Sequence, residues 1–410
     1  MTRAEDLRDA AGEVEFVHED LKVGTFRVHS GVYVENHVFD AEMEAFFRRG
    51  WVYLAHESQL PEPNDYLTCR LARQPILLSR GEDGEVRGFL NRCRHRGALV
   101  CRNESGNAKS FTCFYHSWSY RNTGELTGVT GPEGFPPNFD LSGLGLAPLP
   151  RLESYRGFLF GSLSADGPPL KEHLGNAAAY LDLILDKSDE PLRVVPGVST
   201  YEFKGNWKLQ AENSLDYYHL PFVHRSFMEV RRARGEEVKR GNLRNLANDY
   251  GVDLGNGHGT VITLDEGGEP NQHLFLFPNL VLLEEPAPQI RVIDPLAVDQ
   301  TKVRGYFYMH GEADNSMKLR HYERFYGPTG FGTPDDMEVF HSCMDGYSID
   351  SVPWNDLSRG LHREVTEAPL AWMPPFVSAG NITDDNFMRG FYRKWRLALS
   401  SDVRRPEPTA

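Results

Sequence analysis

Two short clusters of metal-binding residue types lie between residues 91 and 118, in the segment NRCRHRGALVCRNESGNAKSFTCFYHSW. Cys93 and His95 form a Cys-x-His pair, and Cys113 and His116 form a Cys-x-x-His pair. Thiolates and imidazoles are the side chains that bind iron and zinc in proteins. Because each cluster contains one of each, the pattern predicts a mixed metal site with two Cys and two His ligands, built from two loops.

The mixed order of these residues leaves three interpretations. The first is coincidence, with two buried cysteines and two surface histidines. The second is a structural zinc site, although zinc sites usually pair Cys with Cys and His with His. The third is a Rieske cluster, in which two thiolates bind one iron and two imidazoles bind the other. We favour the third, because two facing loops that each give one ligand to each iron produce this order.

The spacing Cys-x-His-x₁₇-Cys-x-x-His closely resembles the Rieske signature, and CRHRG followed by CFYHSWSY is similar to its oxygenase branch. Respiratory-chain Rieske proteins carry an extra cysteine in each loop, and the two form a disulfide. Here Ala98 and Tyr115 lie near those positions, and Cys101 has no partner in the other loop. The resemblance therefore implies a [2Fe–2S] electron relay, bound by Cys93 and Cys113 together with the two histidines.

A second candidate site lies in NWKLQAENSLDYYHLPFVH, residues 206–224. Asp216 and His219 are three residues apart and would share one face of a helix. Pro221 cannot continue the helix hydrogen-bond ladder, so a bend there would bring His224 beside His219. Two histidines and one carboxylate form the facial triad of non-haem Fe(II) sites with open positions for O₂.

This segment resembles the mononuclear-iron motif of aromatic-ring-hydroxylating oxygenases, and the resemblance extends from about residue 40 to the C-terminus. In that family the third ligand is an acid near the start of a late helix, after a Gly-Phe turn. GPTGFGTPDDMEVF, residues 327–340, offers Asp335 and Asp336, of which the family pattern favours Asp336. Thr333 and Pro334 also make an ordinary helix start with an acid in its first turn, and both interpretations can hold.

The resemblance implies roles for two further residues and an assembly. Asn213 and Asp216 are assigned to the catalytic site, with Asp216 linking an iron-binding histidine to a cluster-binding histidine of a neighbouring chain in a trimer. The chain would be the large (α) subunit of a terminal oxygenase, built as α₃β₃ with a small subunit or alternatively as α₃. No flavin or nicotinamide motif is present, so a separate ferredoxin or flavin reductase would supply electrons.

The motif variant resembles oxygenases of the benzoate, salicylate, terephthalate or anthranilate type. We therefore expect cis-dihydroxylation of an aromatic carboxylate. A Rieske monooxygenase or demethylase, and a non-enzymatic Rieske electron carrier, stay open as alternatives. Candidate pocket residues are Leu220, Phe222, Asn279, Leu280 and Arg389. Arg291 and Arg304 are further candidates for binding a carboxylate, because the arginine fork accepts one bidentately.

The elements that would position these sites follow from hydrophobic patterning. Short strands and turns fill residues 51–165, whereas helical patterns, long strands and closing helices follow. We predict an α+β protein: an all-β Rieske domain at 40–160 and a larger catalytic domain at 161–410, with an antiparallel sheet covered by helices in the helix-grip manner. An N-terminal arm, 1–39, is assigned to the catalytic domain.

Composition limits the remaining possibilities. The 410 residues carry 44 basic and 58 acidic side chains, a net charge of −14 that argues against a nucleic-acid-binding surface. No apolar stretch is long enough for a bilayer span, and the N-terminus lacks a signal-peptide pattern. Five cysteines without a secretion signal predict free or metal-bound thiols in a reducing cytoplasm.

Overall fold

A computed structural model describes residues 15–235, 249–265, 267–285, 287–312, 316, 319 and 330–399. The chain divides into two compact units. The β unit is Phe46–Leu170, and the catalytic unit comprises Met1–Ala45 together with Lys171–Ala410. The boundaries expected from the sequence, 40 and 161, lie six and ten residues earlier than the unit limits at 46 and 171.

The strands and helices are named here in chain order. The strands are β1 (Val17–Asp20), β2 (Thr25–His29), β3 (Val52–His56), β4 (Asp65–Leu71), β5 (Gln74–Arg80), β6 (Val86–Leu90), β7 (Ser105–Asn107), β8 (Ser110–Thr112), β9 (Ser119–Arg121), β10 (Leu126–Gly128), β11 (Arg151–Tyr155), β12 (Phe158–Ser162), β13 (Leu192–Val194), β14 (Ser199–Lys204), β15 (Tyr250–Gly255), β16 (His258–Leu264), β17 (Pro270–Leu276), β18 (Leu280–Leu283), β19 (Gln289–Ala297), β20 (Gln300–His310), β21 (Trp354–Asp356) and β22 (Ser378–Asn381). The α-helices are α1 (Gly31–Val34), α2 (Asn36–Glu42), α3 (Leu170–Leu174), α4 (Ala177–Leu185), α5 (Trp207–Asn213), α6 (Leu220–Val223), α7 (Arg225–Ala233), α8 (Gly330–Tyr347) and α9 (Asn386–Leu399). Shorter elements are a π-helix, Met43–Arg48, and 3₁₀ turns at Glu57–Gln59, Pro132–Gly134, Ser142–Leu144 and Leu361–Arg363.

The β unit consists of small antiparallel sheets. One has the strand order β6-β5-β4-β7, a second β10-β9-β8 and a third β11-β12-β3. Between the sheets lies a core that contains Tyr66, Phe111, Tyr120 and both cysteines of the two predicted metal-binding loops. The loops are therefore built directly onto packed strands.

The catalytic unit is organised around an antiparallel sheet of nine strands, among the residues described, with the order β13-β20-β19-β18-β17-β16-β15-β22 and with β14 also paired to β20. Helix α9 packs on β15 and β16, α5 lies against β19, and α8 lies against β14. The predicted α+β class and the antiparallel sheet with covering helices are confirmed.

Helix α5, which opens the second motif, is held by a buried ion pair. Lys208 and Glu42 are both fully buried, with Nζ 2.6 Å from Oε1. The indole N–H groups of Trp207 and Trp395 also donate to this carboxylate, at 2.9 and 2.6 Å. Asn206 caps the helix by accepting the backbone N–H of Lys208. The Asn-Trp-Lys run is therefore the anchor of α5, because an unpaired charge at this depth would be strongly unfavourable.

A second buried carboxylate lies at the other end of α5. Glu212 accepts hydrogen bonds from the hydroxyls of Tyr33, at 2.9 Å, and Tyr392, at 2.5 Å. Burial raises the pKa of Glu212 to about 7, although the two tyrosines oppose the shift. The helix is thus fixed at both ends by hydrogen-bonded carboxylates, one fully buried and one largely buried.

Two local expectations from the sequence are wrong. Helix α5 ends at Asn213, so Asp216 and His219 do not lie on a continuous helix. Asp216 instead accepts the backbone N–H of Tyr218 at 2.7 Å, a local turn that competes with helix formation. Helix α8 begins at Gly330 rather than after Thr333. Pro334 is its fifth residue, one beyond the four whose N–H groups lack a helical acceptor.

No helix in the described parts of the chain combines the length and apolar character that a membrane span needs.

Candidate metal centres

The two loops of the β unit have matching backbones. The N–H of Cys93 donates to the carbonyl of Ala98, and the N–H of Gly97 donates to the carbonyl of Cys93. In the second loop the N–H of Cys113 donates to the carbonyl of Trp118, and the N–H of Ser117 donates to the carbonyl of Cys113. Gly97 and Ser117, each four residues after a cysteine, both have left-handed φ values, +79° and +58°. Each cysteine is therefore held by a closed backbone turn.

Buried polar groups support the first loop. The side chain of Asn91 accepts the N–H groups of Val100 and Cys101 and donates to the carbonyl of Cys101 at 2.7 Å. The hydroxyl of Tyr120 accepts the N–H of Arg94 at 3.0 Å and lies 3.2 Å from Sγ of Cys93. Because that oxygen already accepts one hydrogen bond, its own hydrogen is available to donate to the sulfur.

The four predicted ligands are arranged as two buried thiols and two accessible imidazoles. Cys93 and Cys113 are 2% and 1% exposed. The rings of His95 and His116 lie at a centroid distance of 4.5 Å, and His95 stacks on Trp118. Partial desolvation, followed by the charges of neighbouring His95 and Arg96, lowers the pKa of His116 and favours the neutral imidazole that a metal requires. This donor set fits a cluster with two thiolates and two imidazoles.

Cysteine pairing agrees with this arrangement. All five cysteines are free thiols, and Cys101 is buried without a partner in the second loop. Its Sγ lies 3.6 Å from the carbonyl of Asn103. The oxygenase branch of the Rieske resemblance, which lacks the disulfide, matches this structure.

The second motif brings three residues from separate elements together. His219 precedes α6, His224 joins α6 to α7, and Asp336 lies on α8. The ligand atoms of all three lie within 4.8 Å of one another, and the two imidazole rings have a centroid distance of 5.3 Å. Pro221 is the second residue of α6, so it lies at a helix start rather than at the predicted bend, and the two ends of this one-turn helix carry the histidines.

The orientation of the rings is that of a metal site. Oδ1 of Asp336 lies 3.5 Å from Nε2 of His219 and 3.3 Å from Nε2 of His224. Asn213 approaches the same group, with Nδ2 at 3.2 Å from Oδ1 of Asp336 and 3.3 Å from Nε2 of His219. Both Nε2 atoms therefore converge on one carboxylate, as the donors of a facial triad do.

A second carboxylate lies next to the Nδ1 atom of each histidine. Nδ1 of His224 lies 3.3 Å from Oδ2 of Asp335, and Nδ1 of His219 lies 3.2 Å from Oδ2 of Asp216. The Asp216 contact has ion-pair distance without hydrogen-bond geometry, so Nδ1 of His219 has no aligned acceptor among the described residues. Metal-binding histidines use such carboxylates to fix ring orientation and tautomer. Of the two candidate acids, Asp336 joins the histidines and Asp335 supports one of them.

The pKa of His224 reflects the two carboxylates that lie beside its ring. Burial alone would lower the pKa of His224, but hydrogen bonds and charges from Asp336 and Asp335 outweigh it and the pKa is raised. Two imidazoles and a carboxylate that attract a proton in this way also provide a binding site for a divalent cation, which would displace the proton. The donor set therefore fits one Fe(II).

The predicted pocket residues are placed less favourably. Phe222 is 62% exposed, whereas Asn279 and Leu280 are buried. Leu280 pairs with Val292, and alternation along β18 and β19 directs it to the sheet face opposite Arg291. Leu220, the first residue of α6, is half-buried beside His219.

Arg389 does not suit a substrate role. It is fully buried on α9, where Nε contacts Glu364 at 2.6 Å and Nη1 donates to the carbonyls of Leu357 and Arg359. These bonds tie the last helix to the preceding loop. The prediction of Arg389 as a pocket residue is therefore corrected to a structural role.

Two side-chain pairs near the triad were missed from the sequence. The hydroxyl of Tyr217, inside the motif, lies 3.1 Å from Nε2 of His273 on β17. The hydroxyl of Tyr201 on β14 donates to Oε1 of Gln210 on α5 at 2.8 Å. Alternating polar residues on predicted strands were the available signal, but the partner of each could be found only from the sheet register.

Comparison with known proteins supports the same assignment for both units. Residues 50–142 match the Rieske [2Fe-2S] domain family, and residues 194–399 match the ring hydroxylating alpha subunit catalytic domain. The chain is similar to toluate 1,2-dioxygenase subunit alpha of Pseudomonas putida, with 38% identity over 95% of each chain. The chain belongs to the ring-hydroxylating oxygenase alpha subunits.

Further members of the family agree. The 2-halobenzoate 1,2-dioxygenase large subunit of Burkholderia cepacia is 33% identical over 92% of this chain and 90% of its own. Among solved structures, naphthalene 1,2-dioxygenase from Rhodococcus sp. bound to indole superposes with a TM-score of 0.81 at 30% identity, covering 91% of this chain and 94% of that one. This ring-hydroxylating dioxygenase subunit thus has a Rieske [2Fe–2S] domain and a catalytic domain for mononuclear iron.

Proposed function

We propose that this dioxygenase subunit acts on an aromatic carboxylate and converts it to a cis-diol acid. The convergence of His219 and His224 on Asp336, with an ionisable support behind each ring, is the observation that carries the catalytic assignment. The named substrates of the relatives, toluate and 2-halobenzoate, support the substrate class.

The proposed cofactor positions follow from the two donor sets. Cys93, Cys113, His95 and His116 would hold the [2Fe–2S] cluster, and His219, His224 and Asp336 would hold Fe(II). When bound, these groups supply single electrons and activation of O₂, respectively. The net reaction consumes one O₂, two electrons and two protons for each aromatic ring.

The residues around the triad position it. Asp335 would accept the Nδ1 proton of His224 and so leave Nε2 as the metal donor. Asp216 would accept the Nδ1 proton of His219 once metal binding fixes that ring. Asp216 would also connect the ring of His219 to the cluster of a neighbouring chain in a trimer. Asn213, within hydrogen-bond distance of Asp336 and His219, holds the carboxylate between the two rings.

We also propose a multi-component system in the cytoplasm. A ferredoxin or flavin reductase would deliver electrons, and a small subunit would complete an α₃β₃ assembly, with α₃ as the simpler form. Five free thiols among the described residues are in keeping with a reducing compartment.

The test combines metal analysis with isotope labelling. The purified protein should contain about three irons per chain by the donor sets above, and dithionite should produce the EPR signal of a reduced Rieske cluster. With a compatible reductase and ¹⁸O₂, benzoate or toluate should yield a diol acid carrying both labelled atoms. Asp336→Ala serves as the control that keeps the cluster but forms no product. A product with one labelled atom would indicate a monooxygenase, and no oxidation of either acid would refute the proposed substrate class.

A further inference from the structure

Arg291 lies on the face of the sheet that meets the catalytic helices. Arg291 pairs with Gly305, which pairs with Ser199 on β14, so these positions share one face. Tyr201, two residues along β14, faces the same way and bonds Gln210 of α5. The guanidinium of Arg291 is therefore directed to the side of the sheet that α5 covers.

Gln289, two residues earlier on the same face, is a buried group with one unused donor. It is 1% exposed, and its Oε1 accepts Nε of Arg291 at 3.0 Å. Arginine can only donate, so this contact identifies the amide oxygen and leaves Nε2 as the donor. Nε2 is buried and has no hydrogen-bond partner in the described chain. An unsatisfied buried donor is costly, which indicates a partner from outside the described residues.

Arg291 also differs from the other arginine candidates. Arg304 is paired with Asp294 at 2.7 Å, and Arg389 with Glu364 at 2.6 Å. Among the described residues Arg291 forms no ion pair with a carboxylate, and its hydrogen bond to Gln289 uses Nε alone. A half-buried guanidinium is normally paired with an anion. Because no carboxylate of the described residues pairs with Arg291, its Nη groups are available for an anion from elsewhere.

The neighbours of Arg291 connect it to the predicted iron site. Burial raises the pKa of Tyr201, while the charge of Arg291 lowers it and that of Asp336 raises it. The geometric link is the bond from Tyr201 to Gln210 of α5, because the last residue of that helix, Asn213, contacts Asp336. Burial lowers the pKa of His273 to about 4, and the positive charge of Arg291 contributes to this decrease. His273 is thus neutral at pH 7, and its contact with Tyr217 links it to the motif loop.

We propose that Arg291 and Gln289 form the carboxylate-binding end of the substrate pocket, with the Nη groups of Arg291 and Nε2 of Gln289 donating to the acid. This inference rests on the proposed function and specifies which residues select its substrate class. One carboxylate would satisfy both the unpaired cation and the unused amide donor. The aromatic ring of the acid would then extend toward Asp336, since Tyr201 on this sheet face bonds Gln210 of α5 and the last residue of that helix, Asn213, contacts Asp336.

The test compares benzoate with benzamide, which has nearly the same shape and no charge. Binding is measured by calorimetry on the anaerobic oxidised protein, so the result does not depend on turnover. Wild type should prefer benzoate. Arg291→Gln should weaken benzoate binding about 100-fold and benzamide binding less than about threefold, because bonds between charged groups are lost only with the acid. Arg291→Lys should lose about tenfold, since it keeps the charge without the fork.

A second variant isolates the amide. Gln289→Met preserves volume and removes the donor, and we expect about fivefold weaker benzoate binding with the Rieske EPR signal unchanged. The inference is overturned if wild type binds benzoate and both Arg291→Gln and Gln289→Met bind it equally well. If wild type neither binds nor oxidises benzoate or toluate, the proposed substrate class fails and this inference fails with it. A benzamide loss as large as the benzoate loss would assign Arg291 a structural role and would also overturn the inference.

Discussion

The two candidate metal centres are held in different ways. In the β unit each cysteine is enclosed by a turn of its own backbone, closed by hydrogen bonds to residues four and five positions later. In the catalytic unit the three triad residues come from three elements, and side chains hold them in place. The cluster site is therefore determined mainly by local backbone, whereas the iron site depends on tertiary packing around α5 and α8.

The strongest test of this difference removes one ligand from each centre. Asp336→Ala should abolish product formation, a loss of more than about 100-fold, and remove one iron per chain while the Rieske EPR signal persists. Cys113→Ser should remove the cluster signal and also stop turnover, but retain binding of Fe(II) at the triad. Iron analysis and EPR on both variants measure this. Loss of both metals in either variant would show that the centres are not independent.

The next test concerns the ion pair that anchors the iron site. Lys208→Met leaves Glu42 buried without its cation and should lower the free energy of unfolding by about 3–5 kcal/mol. Chemical denaturation followed by tryptophan fluorescence measures the effect, since Trp207 and Trp395 both contact Glu42. Lys204→Met, at an exposed lysine on β14, is the matched control and should change stability by less than about 0.5 kcal/mol. Equal losses in both variants would contradict a special role for the buried pair.

A smaller effect is expected from the support of one ligand. Asp335→Asn removes the charge next to Nδ1 of His224 and should weaken Fe(II) binding about 10- to 100-fold. Asp345→Asn, an exposed acid on the same helix, should leave the affinity unchanged. Titration of iron-depleted protein with Fe(II) gives both values. If Asp335→Asn binds iron as wild type does, Asp335 does not support the metal site.

These contrasts explain which features could be predicted from the sequence. Ligands separated by short, characteristic spacings, such as Cys93 and His95, are visible because the loop that presents them is itself local. Asp336 required the family resemblance, since over 100 residues separate it from His224 and only packing brings them together. The helix expected through Asp216 is wrong because α5 ends at Asn213 and the next residues form a turn in which Asp216 accepts the backbone N–H of Tyr218, which periodicity does not reveal.

The choice of pocket residues depends on tertiary structure for a related reason. Leu280 and Arg389 were selected by proximity in sequence and by residue type, but the side of the sheet and the existing bonds decide their roles. Gln289 and Arg291 are two residues apart and so share a strand face, which is a readable signal. What the sequence lacks is the information that this face meets α5 and that no carboxylate of the described chain pairs with Arg291.

The smallest expected effect concerns the side-chain bond between Tyr120 and Cys93, a predicted cluster thiolate. Tyr120→Phe removes the hydroxyl 3.2 Å from Sγ of Cys93 and keeps the ring in the core. A donor to sulfur stabilises the reduced, more negative cluster more than the oxidised one, so its loss should lower the reduction potential. A bond worth about 1 kcal/mol corresponds to about 40 mV for a one-electron couple.

Redox titration followed by EPR measures this shift. The matched control is Tyr115→Phe, because the hydroxyl of Tyr115 contacts Arg96 at 3.2 Å and its side chain is exposed. Its potential should equal that of wild type. An unchanged potential in Tyr120→Phe would show that the backbone turns alone set the properties of the cluster. A decrease confined to Tyr120→Phe would show that even the locally built centre depends on one side chain from the strand that follows it.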